Sequence, residues 1–290
     1  MQLRRTFALA AAAVLAASLA ACGGDDDSGN PPVATSTQFP AGSTMAQLNS
    51  AQKIVIGVKY DQPGIGFLNP ATNQPEGFDI EIGKLVAAGL GIPADKIEFK
   101  ETVSANREPF LQAGTVDIVI ASYSITDERR QVVGQAGPYY LTGQQLLVRE
   151  ADKDRITGPD DLSGVKVCSV TGSTSIARVE EDYGAQPVPF ATYTECVQQL
   201  LNNSVDVVTT DGSILLGYAA QDPDNLEVVG DPFSEERYGI GFKHGDTAMC
   251  QFLNETLTKA FGDGTWKSAF DNTLGQSGAE SPTPPTLDPC

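Results

Sequence analysis

GTVDIVIASYSITDERR, residues 114–130, is the stretch that decides the fold. Val116-Asp117-Ile118-Val119-Ile120 is a short β-branched apolar run of the kind that forms a buried parallel strand, and it runs into small and hydroxyl residues at 121–124. Thr126 then reads as a helix N-cap, with Asp127 and Glu128 suited to the positive end of a helix. Arg129 and Arg130 fall within about the same first turn, where cations are misplaced for the helix itself. A strand end, a hydroxyl-rich loop and a guanidinium beside a helix N-terminus make a place for a small anion, because backbone N–H groups and arginine both point at it. From this stretch alone, pairing of Arg129 and Arg130 with nearby surface carboxylates is an equally good reading.

Outward from it, the chain repeats one grammar. Residues 53–58 read as a strand, 59–75 as a Gly- and Pro-bearing loop, 80–90 as an amphipathic helix capped by Asp79, 97–101 as a strand and 108–113 as a short helix. In the second half, 166–170, 186–189 and 204–209 read as strands, with helices at 176–183 and 195–201. FLQAGTVDIVIASYSI (110–125) and QLLNNSVDVVTTDGSI (199–214) share a helix end, a polar break, Val-Asp and a strand running into hydroxyls. The expectation is an α/β protein of two lobes, each a mostly parallel sheet flanked by helices, joined by two hinge crossovers at 144–149 and 238–242. Helices at 246–261 and 266–273 would complete the first lobe, and the Pro- and Ser-rich tail beyond 274 would be irregular, tied down only if Cys290 is bridged. The boundaries are 51–146 with 240–290 for lobe 1 and 147–239 for lobe 2. Ligands of open α/β sheets bind outside the carboxyl ends of the strands, so Ser122 to Ser124 and Thr210-Asp211 should face one cleft, one side bringing cations and the other a carboxylate.

The first 21 residues carry Arg4, Arg5 and an apolar run ending LAAC, and are read as a signal peptide. The ending resembles a bacterial lipobox, which would lipidate Cys22; an ordinary signal peptide with a chance cysteine is the alternative. Residues 22–50 are read as a flexible tether, whose Gly-, Asp-, Pro- and Ser-rich part, 23–43, has an r.m.s. reach of about 25 Å. The protein is therefore expected to be exported and held at the outer face of the membrane, or in the periplasm, without crossing the bilayer. A formal charge of −18 with no basic stripe argues against nucleic acid and anionic membrane surfaces as partners. Of five cysteines, setting Cys22 aside leaves Cys168, Cys196, Cys250 and Cys290. Three pairings are possible, and Cys168 with Cys196 and Cys250 with Cys290 is favoured because each pair lies within one predicted lobe. No close CxxC spacing occurs and His244, read as a surface residue, is the single histidine, so neither a metal nor any other cofactor is expected.

Four stretches in order, GFDIEIGKLVAAGLG (77–91), SITDERR (124–130), VCSVTGSTS (167–175) and VVTTDGS (207–213), resemble the polar amino-acid-binding family of extracellular solute receptors. These are the two-lobed, periplasmic-binding-protein-like (type II) components of ABC importers, and the resemblance spans residues 53–273. SANR (104–107) and VKYDQPG (58–64) are most similar to the glutamate/aspartate branch. The resemblance implies that Arg129 forks onto an α-carboxylate, helped by Ser124 and by N–H groups at Ser173 and Thr174. It implies that Asp211 and the carbonyl of Ser122 take the α-ammonium, and that Lys59 and Arg107, with Ser104 nearby, meet a second carboxylate. Phe67 and Tyr193 are candidate pocket aromatics. The implied function is capture of L-glutamate or L-aspartate by a lipid-anchored monomer that delivers it to an ABC permease. The alternatives are a sensor read by a membrane receptor or kinase, and, remotely, a cyclohexadienyl dehydratase-like enzyme; no catalytic residue is assigned, since Asp211 is committed to the ammonium. Val170 and Ser122 depart from the residues many members carry there.

Overall fold

The computed structural model describes residues 29–35 and 37–290. The proposed signal peptide (1–21), Cys22 and the start of the tether lie outside the described residues. The rest of the tether is not irregular as expected. The Ala34 amide donates to Ala88 O, Phe39 packs edge-on against Phe252 at 5.7 Å, and α1 (Thr44–Ala51) buries Met45 and Leu48. Composition hid this helix, although its signals were there: Ser43 caps the Ala46 amide, and two apolar residues three apart share one face.

After α1 come β1 (Ile54–Val58), a small antiparallel sheet of β2 (Asp61–Gln62), β3 (Gly66–Asn69) and β4 (Gln74–Glu76), and α2 (Phe78–Gly89). The small sheet occupies what the sequence suggested was loop, because its strands are two to four residues long and punctuated by glycine and proline. Then follow β5 (Ile97–Glu101), α3 (Arg107–Ala113), β6 (Ile118–Val119), α4 (Asp127–Arg130) and β7 (Gly134–Thr142). The chain changes sheet at Gly143 and continues through β8 (Gln144–Arg149), β9 (Lys166–Val170), α5 (Thr174–Tyr183), β10 (Gln186–Phe190), α6 (Tyr193–Leu201), β11 (Val207–Asp211), α7 (Gly212–Gln221) and β12 (Leu226–Val229). It returns as β13 (Glu236–Phe242) and ends with α8 (Thr247–Asp263) and α9 (Thr265–Asp271).

The two large sheets have matching orders, β5-β1-β6-β13-β7 and β10-β9-β11-β8-β12. In each, three parallel strands carry the βαβ units, a fourth runs antiparallel to them, and the edge strand pairs antiparallel with that fourth. The sheets are therefore mixed, since the crossing strands β8 and β13 take the fourth place in the sheet they enter. Crossing occurs at Gly143 and between Val229 and Glu236, a few residues before the boundaries read from sequence. Helix α7 and strands β7 and β12 escaped the sequence reading. The core of lobe 1 is aromatic around Phe78, which lies 5.8–6.0 Å from Tyr139, Tyr140, Trp266 and Phe270. Both favoured disulfides form, Cys168–Cys196 tying β9 to α6 and Cys250–Cys290 tying the tail to α8.

Asp79 does not cap its helix. Gly77 holds the N-cap position at φ +120°, where a Cβ would meet Ile65 O at 2.4 Å, so the turn into α2 tolerates no side chain. Asp79 instead points inward, fully buried, and accepts from the Ser122 amide at 2.7 Å and the Tyr139 hydroxyl at 2.6 Å. It ties the helix to the loop after β6.

Candidate functional site

All the parallel strands end on the same side, and the segments after β5, β6, β9, β10 and β11 converge on one polar cleft between the lobes. It encloses about 230 Å³ of empty space, its open mouth included. Lobe 1 lines it with Ser104, Arg107, Ser122, Ser124 and Arg129; lobe 2 lines it with Ser173, Thr174, Ser175, Tyr193, Thr210, Asp211 and Ile214. Nine of the eleven residues assigned from sequence to the ligand or its pocket thus line one space. Lys59 and Phe67 do not. Lys59 is buried one layer behind, its Nζ donating to Ser104 Oγ at 2.8 Å, and Phe67 lies on β3 away from the lining. Thr210 lines the cleft beside Asp211, as the strand-end reading expects; Ser175 and Ile214 were missed, Ser175 standing at the end of a quoted motif and Ile214 belonging to the unread helix α7.

The two arginines are held differently. Arg107 begins α3 and is almost fully buried, donating from Nε to Ser104 O (3.1 Å) and from Nη1 to Ala121 O and Ser122 O (both 3.3 Å). All its acceptors are neutral carbonyls, and among the described residues no carboxylate lies within salt-bridge distance of it. Burial, then the Arg129 charge, lower its pKa to about 10. Arg129 donates from Nε to Glu108 Oε1 (3.1 Å) and from Nη1 to Ser124 O (2.7 Å). Both guanidiniums stand over the Tyr123 ring, 4.6 and 4.9 Å from its centroid, where the electron-rich face attracts each cation. The Tyr123 hydroxyl donates to the same Glu108 oxygen at 2.8 Å. Glu108 thus offsets one of two neighbouring charges that would otherwise repel in a poorly solvated space. The equal alternative from sequence is met in part: Arg129 has a carboxylate partner but keeps its fork toward the cleft, whereas Arg130 pairs with Asp288 at the surface.

Several predicted groups are already engaged. The Ser122 carbonyl accepts from Arg107, and the Ser173 amide is taken by Val170 O at 3.1 Å. Ser173 Oγ caps α5 through the Ile176 amide, leaving Thr174 as the first helical residue, whose amide has no intrahelical acceptor. Ser122 holds φ +42°, a conformation that glycine adopts more readily. The hydrogen bond that its amide donates to Asp79 Oδ2 keeps it there.

Opposite the arginines, Asp211 closes β11. The Tyr238 hydroxyl donates to its Oδ2 at 2.6 Å, and Oδ1 is buried with no hydrogen-bond partner among the described residues. Burial, then the nearby Glu236 charge, raise its carboxyl to about 7. Lys59 is lowered to about 7, chiefly by burial. Contacts also cross the cleft. Gly172 O accepts from Arg107 Nη2 (3.0 Å) and Arg129 Nη2 (3.1 Å), the Tyr193 amide donates to Asp61 Oδ2 (2.7 Å), and Glu236 receives Thr174 Oγ1 (3.0 Å) and Arg178 Nη1 (2.8 Å).

Two α/β lobes of matching topology, with a buried polar cleft at their strand ends, define a two-lobed ligand receptor of the periplasmic-binding type. Residues 54–276 match the bacterial extracellular solute-binding proteins, family 3, and the chain belongs to that family. It is 41% identical over 77% of its length to the glutamate-binding protein GluB of Corynebacterium efficiens, covering 79% of that protein. It is 36% identical over 82% of its length to the glutamine-binding ABC transporter protein GlnH of Bacillus subtilis, covering 86% of it. Among solved structures it resembles the solute receptor for L-cysteine of Neisseria gonorrhoeae, with a TM-score of 0.77 at 27% identity, over 84% of this chain and 99% of that one.

Proposed function

We propose that this protein captures L-glutamate between its lobes and delivers it to an ABC importer in the membrane. The observation that carries the reading is that two residues lining one cleft each lack a counter-charge among the described residues: Arg107, buried with neutral carbonyl partners, and Asp211, whose buried Oδ1 has no hydrogen-bond partner. A buried charge without a counter-charge is costly, and a zwitterion with one further carboxylate supplies what each lacks. The ligand's α-carboxylate would take the fork of Arg129 near the first turn of α5, its ammonium Asp211, and its side-chain carboxylate Arg107. Lys59, behind Ser104, supports that carboxylate electrostatically through the wall. Hydrogen bonds to charged groups contribute about 1.5–3 kcal/mol each when water is excluded. The glutamate-binding relative supports the same ligand.

Glutamine is the competing ligand, for a specific reason. Counting the charges that meet at the cleft, Arg107 and Arg129 are matched by Glu108 and Asp211, so a ligand of zero net charge leaves the set neutral. The glutamine-binding relative agrees with that balance. Aspartate would use the same three anchors from a side chain one methylene shorter. Calorimetry of the purified protein against the twenty amino acids separates these readings: glutamate is expected to bind ahead of glutamine and aspartate, with arginine and leucine far behind. Preference for a basic amino acid would overturn the site.

Delivery to a permease is distinguished from sensing by deleting the gene and following labelled glutamate uptake; unchanged uptake would transfer the reading to a receptor or kinase. Elimination of water from a hydroxyl-bearing cyclohexadienyl acid incubated with the protein would point to the dehydratase-like alternative, in which Asp211 would need to act as the acid that protonates the departing hydroxyl. Anchoring through a lipidated Cys22 is part of the proposal, and mass spectrometry of the membrane-extracted protein tests it. Sedimentation with and without ligand tests the monomeric state.

A further inference from the structure

The tail after residue 276 lies beyond the stretch matched to the family, yet it is fastened to lobe 1 through α4, β7, β13 and α8. Cys290 is bonded to Cys250 on α8. One turn along that helix, Asn254 reads both partners: its Nδ2 donates to Asp288 O at 2.8 Å and its Oδ1 accepts the Gly137 amide at 3.0 Å. The Asp288 amide in turn donates to Gly137 O at 2.7 Å, on β7 just before the first crossing. So fixed, the Asp288 carboxylate pairs with Arg130, at 2.5 Å, and with Arg237.

Those two partners are the outward-facing neighbours of the residues that build the cleft. Side chains alternate along a strand, so Arg237 points to the tail while Glu236 and Tyr238 point the other way. Glu236 holds Thr174 and Arg178 of lobe 2, and Tyr238 holds Asp211. On α4, Arg129 and Arg130 are about 100° apart, and Arg129 turns to the cleft while Arg130 turns to Asp288. The backbone joins the two supports, since the Ile125 amide donates to Arg237 O at 2.8 Å.

We propose that Asp288 is a positioning residue for the cleft: anchored by the Cys250–Cys290 bridge, it grips Arg130 and Arg237 from behind and so fixes Arg129, Glu236 and Tyr238 in the closed arrangement. This rests on reading the cleft as the amino-acid site. A grip on two elements of the lobe 1 wall, α4 and β13, without contact to the ligand, sets affinity and leaves selectivity alone.

The test compares the wild-type protein with Asp288→Ala, Asp288→Glu and the double variant Cys250→Ser/Cys290→Ser. Calorimetry uses glutamate and glutamine well below the melting temperature, and hydrogen exchange is followed in peptides covering 124–132 and 236–240. Asp288→Ala and the double variant are expected to weaken both ligands by about tenfold, near 1.4 kcal/mol, with their ratio kept and exchange faster in both peptides. Asp288→Glu should recover most of the loss. Should the double variant fail to fold, Asp288→Ala, which keeps the bridge, decides alone. Unchanged exchange in those peptides overturns the proposal even if the wild-type protein binds no amino acid, an outcome that separately sinks the amino-acid reading. Loss of one ligand only, or a lower melting temperature with affinity intact, also overturns it.

Discussion

The guanidinium of Arg107, in the first lobe, donates from Nη2 to the carbonyl oxygen of Gly172, in the second, at 3.0 Å. Arg129 donates to the same oxygen at 3.1 Å, so one backbone carbonyl gathers both cations across the cleft. A carbonyl offers only partial negative charge. A carboxylate offers a full one and accepts a guanidinium fork in a bidentate manner, which is the preference a ligand would exploit.

The two arginines should therefore separate by substitution. Arg129→Ala is expected to weaken glutamate and glutamine alike, by about 2–5 kcal/mol, because it removes the charged partner of the group they share. Arg107→Ala should weaken glutamate far more than glutamine. Calorimetry on both variants with both ligands checks this, and equal losses for Arg107→Ala would remove it from selectivity.

Acid should weaken binding through Asp211. Its carboxyl is raised to about 7, chiefly by burial, so between the ordinary carboxylate range and about pH 7 the ligand-free folded protein holds a proton that the unfolded chain has released. The ionised form then destabilises the ligand-free fold as pH rises through that window, while an ammonium ligand requires that same form. Affinity should thus rise from pH 5.5 to 7.5 with release of a proton, and intrinsic stability should move the opposite way. Titrations in buffers of different ionisation enthalpy count the proton; Asp211→Asn should flatten this acid limb.

Alkali should act through Lys59. Burial lowers its ammonium to about 7, so the charge that supports a second carboxylate is lost as pH rises through that value. The ratio of glutamate to glutamine affinity is expected to fall between pH 6.5 and 8.5. Lys59→Met should make that ratio independent of pH over the same range.

Gly172→Ala should hinder closure. Gly172 has φ +81°, and a Cβ there would stand 3.0 Å from the Ala105 backbone of the other lobe. Both the left-handed conformation and the crowding oppose alanine. All ligands should weaken by about tenfold with their order unchanged, and small-angle scattering should show a larger radius at saturating ligand. A radius equal to the wild type would show that the methyl is accommodated.

The Cys168–Cys196 bridge closes a loop with a sequence separation of 28 between two fully buried positions. Replacing both cysteines by alanine should lower the unfolding free energy by about 2–4 kcal/mol in urea titrations, the amount expected from freeing such a loop in the unfolded chain. An unchanged midpoint would mean that the bridge contributes nothing beyond its packing.

Much of this was legible in the chain. Val- and Ile-bearing runs at 54–58 and 166–170 and the apolar–polar alternation at 97–101, each followed by a glycine- or hydroxyl-bearing loop, specify strands by local pattern, and the repeated Val-Asp strands running into hydroxyls specify two lobes of one architecture. Arg129, Arg107 and Asp211 stood in short motifs at those strand ends, where the geometry of open sheets places ligands. Other features are tertiary. Asp79 has the local look of a helix cap, but close packing of Gly77 on Ile65 turns it inward to hold Ser122. Whether Lys59 lines the cleft or stands behind it depends on which side chain packs in front, and that is Ser104. Glu108, Tyr123, Glu236 and Asp288 acquire their roles only because strands distant in sequence become neighbours, and no local propensity encodes such partners. The sequence by itself determined the parallel strands with the helices between them and the charges brought to the cleft; only the tertiary structure decided which charges are matched, because burial and pairing are properties of contacts across the fold.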